Sequence, residues 1–196
     1  MNEADARENI RRQLLDSADV KRRVSELLLD DILQAAMILA EALASGKKML
    51  ICGNGGSAAD SQHIAAELVG RLRAGHERPS LPAIALTTDS SIVTAIGNDY
   101  GFDQVYARQV EGLGESGDVL IGISTSGNSS NIVKAVQVAR ERQLRTIGLL
   151  GQQGILRDLV ECPIAVPSTN TQRIQEAHIA IGHIICELVE DKLFYS

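Results

Sequence analysis

Five short apolar runs alternate with helical segments along this chain, and that alternation leaves few folds open to it. The runs lie in KKMLICGNGG, LPAIALTT, GDVLIGISTSGNS, LRTIGLLG and CPIAVPS. Each is too short for a helix and nearly all apolar, the pattern of a strand buried on both faces. Helical spacing recurs from about 57 to 72, in SNIVKAVQVARERQ, briefly around 155–160, and in the closing TQRIQEAHIAIGHIICELVEDKLF. SSIVTAIGNDYGFDQVYARQVEGLG reads as one or two helices, with a break predicted at Gly97–Asp99. Strands joined by helical crossovers make a parallel sheet covered on both sides. The expected fold is α/β, a five-stranded, doubly wound parallel sheet. Ligands of such sheets collect beyond the carboxyl ends of the strands, near the switch point.

Ahead of the sheet, residues 4–45 hold no Gly and no Pro, and a glycine stop signal follows at Gly46. Two helices are predicted, an extension over 1–45 in front of a single unit over 46–196. Such a pair packs on its own domain or on another subunit. The charge balance bears on partners. With a net charge of −6, no Trp, two Phe and three Tyr, the chain is poorly made for stacking on nucleic acid or for an anionic membrane. Any anionic ligand must be held by local amides and hydroxyls. Cys52, Cys162 and Cys186 are scattered with no CxxC pair, as expected of small buried residues in a reducing compartment. The N-terminus is charged, and no apolar run approaches the ~20 residues of a membrane span. A cytoplasmic location is expected.

Two strands run into turns rich in hydrogen-bonding groups, GNGGS and STSGNSS, each opening a helix. Free N–H groups and the positive dipole end at a helix start favour an anion. Ser124, Thr125, Ser126 and Ser129 add four hydroxyls, a donor set suited to a phosphate. Neither turn is a Walker A loop or a GxGxxG fingerprint. One helix turn beyond the glycines, His63 and Glu67 stand four residues apart and so share a helix face. A histidine and a carboxylate so placed can share a divalent metal, zinc suiting mixed nitrogen and oxygen ligands. The closing helix carries Gln175, Glu176, His178 and His183. His178 reads as structural, and His76, in RAGHERPS, as solvated.

CGNGGSAADSQHIAAEL, ALTTDSSIVTAIGNDYGF, GDVLIGISTSGNSSNIVKA and RIQEAHIAIGHI together resemble the phosphoheptose isomerases. These form a branch of the sugar isomerase (SIS) domain family, with a flavodoxin-like fold. The resemblance implies a homotetramer with active sites at subunit interfaces and N-terminal helices packed in the oligomer. It implies one zinc ion per subunit, held by His63, Glu67, Gln175 and His183. Glu67 would be the catalytic base and His183 the acid. Ser124, Thr125, Ser126 and Ser129 would grip the phosphate, with Asn54, Gly55, Gly56 and Ser57 beside them. Asn98, Asp99 and Gln175 would contact the sugar hydroxyls. The implied reaction converts sedoheptulose 7-phosphate to D-glycero-D-manno-heptose 7-phosphate through an enediol, at the entry to heptose for lipopolysaccharide.

One geometric tension accompanies that ligand set. Gln175 and His183 are eight residues apart, about 12 Å along an unbroken helix. Either both side chains lean together, or one comes from a neighbouring subunit, or Gln175 precedes the helix proper. Two other readings compete. One relative is a non-catalytic tetrameric scaffold that binds the bacterial replication initiator, and other relatives act on other sugar phosphates. Gln172 stands where some members carry an acid. Keeping both a phosphate loop and a proton-transfer set favours catalysis.

Overall fold

The computed structural model describes residues 2–195. Asn2 opens helix α1 (Glu3–Leu27) with a reciprocal cap, its side chain accepting from the Asp5 amide while the Asp5 carboxylate accepts from the Asn2 amide. Leu28 separates α1 from α2 (Leu29–Ala44), which ends ahead of Gly46. Strand β1 (Met49–Gly53) then leads to α3 (Gly56–Val69) and the three-residue β2 (Ala83–Ala85). Helices α4 (Ser90–Asp99) and α5 (Ala107–Leu113) precede β3 (Val119–Ser124), α6 (Ser130–Glu141) and β4 (Arg145–Leu150). The short α7 (Leu156–Leu159), β5 (Cys162–Ala165) and the long α8 (Thr171–Glu190) complete the order.

All five strands are parallel, in the order β2-β1-β3-β4-β5, as the alternation predicts. The register sets Gly53 opposite Ile123 and Ile121 opposite Ile147. Successive residues of a strand face opposite sides, and the two cores divide accordingly. Met49, Ile51, Val119 and Ile121 pack with α1, α2, α3 and α8, while Leu50, Cys52 and Leu120 pack with α5, α6 and α7. The N-terminal helices are built into the first of these cores: Val24, Ile32 and Leu39 belong to the same buried cluster as the strands.

The predicted break at Gly97–Asp99 is corrected. Helix α4 continues through Gly97 to Asp99, and the chain turns at Gly101, whose φ of 92° belongs to the left-handed region where a side chain is costly. The helix expected over 57–72 also stops early, at Val69. The Leu72 amide bonds instead to the Glu190 carboxylate, at 3.1 Å. No helix among the described residues is long and apolar enough to cross a membrane.

Candidate active site

From β1 the chain passes to β2 on one side and, later, to β3 on the other. Strand order therefore reverses between β1 and β3, where doubly wound sheets hold ligands. Both hydrogen-bonding turns lie there. Asn54, after β1, and Asn131, in the first turn of α6, exchange two hydrogen bonds of 2.9 and 2.8 Å. The Ser124 hydroxyl lies 3.0 Å from that of Ser129 and 3.4 Å from that of Ser126. Ser129 occupies the cap position of α6, but its side chain makes no capping bond. Thr125, Ser126, Asn128, Gln152, Ser168 and Thr171 line a polar cavity of about 340 Å³ beside these hydroxyls. Ser57 is buried, its carbonyl accepting from the Ser61 hydroxyl at 2.8 Å, whereas Gly55 and Gly56 lie at the surface.

Helices α3 and α8 run side by side in the same direction. A Cβ added at Gly56 would lie 2.7 Å from the Gln175 Nε2, and one at Gly182 would lie 2.6 Å from the Ile64 Cδ1. The absent side chains at these two points let the helices close. The contact continues past His63 and His183 to Leu72 and Glu190.

Glu67 Oε1 and His63 Nε2 are 3.0 Å apart, and His63 Nε2 is 3.2 Å from His183 Nε2. One ligand atom from each of the three lies within 4.8 Å of the others. A neutral imidazole offers one donor and one acceptor, so two facing nitrogens and a carboxylate form a proton-sharing cluster. The same three groups fit a divalent metal. Asp60, one turn earlier on α3, escaped the sequence reading. One of its carboxylate oxygens is buried without a hydrogen-bond partner, and desolvation pushes its pKa up while the nearby His63 pulls it down.

Gln175 lies inside α8, four residues past its start, so the possibility that it precedes the helix is ruled out. Its amide meets the glycine turn at Gly56. Asn98 and Asp99 are exposed at the end of α4, where the Asn98 Nδ2 donates to the Asp99 Oδ1 at 2.7 Å. No contact brings that pair to the cluster among the described residues. His178 is fully buried, with Nε2 3.0 Å from the Leu150 carbonyl and Nδ1 unpartnered. Burial pushes its pKa down to about 4 against the raising effect of that carbonyl. His76 is exposed near the Tyr195 ring. Burial holds the thiols of Cys52 and Cys186 up to about 12 and that of Cys162 up to about 11, which removes them as nucleophiles.

The SIS domain family matches residues 14–151. A phosphoheptose isomerase from a Nitratiruptor species is 56% identical over 185 residues, 94% of this chain and 98% of the relative. One from Geobacter sulfurreducens is 55% identical over 188 residues, 95% of this chain and 98% of the relative. Among solved structures, a phosphoheptose isomerase from Francisella tularensis superposes with a TM-score of 0.91 at 38% identity, covering 97% of this chain and all (100%) of its own. That of Neisseria gonorrhoeae gives 0.87 at 43% identity, with 95% and 99% covered. By sequence and fold, the chain belongs to the phosphoheptose isomerases of the SIS-domain family.

Proposed function

We propose that the chain interconverts sedoheptulose 7-phosphate and D-glycero-D-manno-heptose 7-phosphate, supplying heptose to bacterial surface glycans such as lipopolysaccharide. The observation that carries this reading is the convergence of Glu67, His63 and His183, from two separate helices, to within 4.8 Å of one another. Aldose–ketose isomerisation moves a proton between adjacent carbons, so it needs a base at carbon and an acid at oxygen. Glu67 is the base that takes the carbon-bound proton. His183 is the acid that protonates the neighbouring oxygen, and His63 orients the Glu67 carboxylate at 3.0 Å. Ser124, Thr125, Ser126 and Ser129 hold the phosphate at the α6 N-terminus, with Asn54, Gly55, Gly56 and Ser57 completing that end. His63 lies seven residues, about 10 Å, beyond Gly56 along α3, a span comparable with an open-chain sugar phosphate. Gln175, whose amide lies at the Gly56 turn, serves the sugar hydroxyls nearest the phosphate.

The donor set of two imidazoles and a carboxylate fits zinc, one ion per subunit, at His63, Glu67 and His183. Gln175 becomes the further ligand when its amide swings away from the Gly56 turn. When bound, the ion supplies Lewis-acid polarisation of the substrate's oxygens. Asn98 and Asp99 reach the sugar from a neighbouring copy in a homotetramer. An apolar groove of about 330 Å³ between α1, α2 and α8, with Leu29, Leu33 and Ile184 exposed along it, supports that assembly.

Purified protein assayed on a panel of five- to seven-carbon sugar phosphates, with and without chelator, tests the reading. Sedoheptulose 7-phosphate should be the best substrate. Glu67→Gln should lower kcat by roughly 10³-fold or more, the scale of a lost general base. Wild-type rates in that variant would refute the assignment of the base. No turnover of any sugar would refute the enzyme.

A further inference from the structure

The side chain of Arg78 is buried at the place where α3 ends. Its guanidinium is fully enclosed, as is the carboxylate of Glu190 at the end of α8, and the Nε–Oε1 distance is 2.8 Å. The other nitrogens of the fork turn toward α3. Nη2 donates to the carbonyl of Glu67 at 2.7 Å, and Nη1 donates to the carbonyls of Leu68 at 2.8 Å and Pro79 at 2.9 Å. The last carbonyls of a helix have no partner within it, so Arg78 supplies the end of α3 with donors from outside. Glu190 also accepts from the Leu72 amide through Oε1, while the buried Oε2 makes no hydrogen bond and faces the Arg73 Nε at 3.8 Å. A buried ion pair that leaves one oxygen unsatisfied is a poor device for stability alone.

Its position is more telling. The carbonyl that Nη2 grips belongs to Glu67 itself. Glu190 lies seven residues beyond His183 on α8, two turns along and within about 20° of the same helix face. One rigid planar group thus ties the backbone of Glu67 to the helix that carries His183. We propose that Arg78, anchored by Glu190, is a positioning residue: it sets the axial offset of α3 against α8 and thereby the separation of Glu67, His63 and His183. This rests on the isomerase reading of that cluster and adds a residue to it.

Two variants separate positioning from simple support. Arg78→Lys keeps a charge for Glu190 but lacks the planar fork that spans the carboxylate and both carbonyls. The double variant Arg78→Leu with Glu190→Leu removes both enclosed charges at once, and Arg73, which faces Glu190, keeps its pairs with Asp191 and Glu187. Thermal unfolding, kcat and KM on sedoheptulose 7-phosphate, and zinc affinity by competition with a chromophoric chelator are measured for both and for the wild type. The double variant should stay folded, with kcat down about 10- to 100-fold, KM within about threefold and zinc affinity weaker by about 10- to 100-fold, the scale on which partners behind a metal ligand act. Arg78→Lys should show the same split, and it carries the test if the double variant does not fold. A folded variant with kcat and zinc affinity within twofold of wild type overturns the proposal. If the wild type binds zinc but does not isomerise the sugar, the enzyme reading falls and the zinc comparison still decides the role of Arg78. Absence of both properties in the wild type overturns both.

Discussion

Gly182→Ala tests whether the spacing of α3 and α8 governs the chemistry. A Cβ there would lie 2.6 Å from Ile64 Cδ1 and 2.8 Å from Cγ1. Carbon atoms prefer about 3.5–4.0 Å, so the helices must separate by roughly 1 Å or Ile64 must change rotamer. Ile64 is only 2% exposed, in a packed core with little room to turn. Overpacking of this kind costs about 1–3 kcal/mol, while alanine in place of a helical glycine returns about 1 kcal/mol. The net loss of stability is about 0–2 kcal/mol. The kinetic effect is larger, because Gly182 and Ile64 adjoin His183 and His63, whose nitrogens are 3.2 Å apart. A misplacement of about 1 Å in a catalytic constellation can cost ~10²-fold in rate. Denaturant unfolding and steady-state assays on the same preparation should therefore show a nearly native fold with kcat reduced about 100-fold. Equal or greater stability with kcat within twofold of wild type would refute the claim that this crossing sets the geometry.

Three further outcomes are expected. His178 is held neutral by burial with a folded pKa of about 4, below the usual ~6.5 of the unfolded chain. The unfolded state therefore binds more protons between those values, and stability is full above about pH 6.5 and lost as pH falls toward 4. Unfolding free energy should drop by about 2 kcal/mol from this group between pH 7 and 5, a drop that His178→Gln should remove; an unchanged pH slope would refute the assignment. Gly56→Ala should displace the Gln175 amide, 2.7 Å from the new methyl, and raise KM roughly tenfold, the worth of one substrate hydrogen bond. Unaltered KM would take Gln175 out of the binding site. Ser124→Ala removes a buried hydroxyl that meets Ser126 and Ser129 and should raise KM by about 10- to 100-fold, as for a hydrogen bond to a charged group. The same variant should leave the KM for a substrate lacking the phosphate unchanged, and a parallel rise there would refute the phosphate assignment.

Much of this architecture was legible in order along the chain. The five apolar runs, their helical crossovers and the two hydrogen-bonding turns are local patterns, and local patterns are what periodicity reports. Each strand is there, although β2 retains only Ala83–Ala85 of the run LPAIALTT. The i,i+4 spacing of His63 and Glu67 likewise put them on one helix face before any tertiary information. The helix break was misplaced because two glycines compete in that segment, and only the backbone shows that Gly101, not Gly97, takes the left-handed conformation.

The amino-acid sequence by itself determined the class of fold, the position of the serine-rich loop at a helix start, and the chemical types available for proton transfer. Only the tertiary structure decided which of those groups meet. His183 joins His63 and Glu67 across 120 residues because two helices pack in parallel over Gly56 and Gly182, an encounter set by core packing and not by spacing along the chain. The same packing carried Gln175 to the glycine turn and left Asn98 and Asp99 at the surface. It also brought Arg78, an unremarked arginine in a polar loop, onto the carbonyl of Glu67. Its significance depends on a buried carboxylate 112 residues away, a distance over which no periodicity or motif carries information.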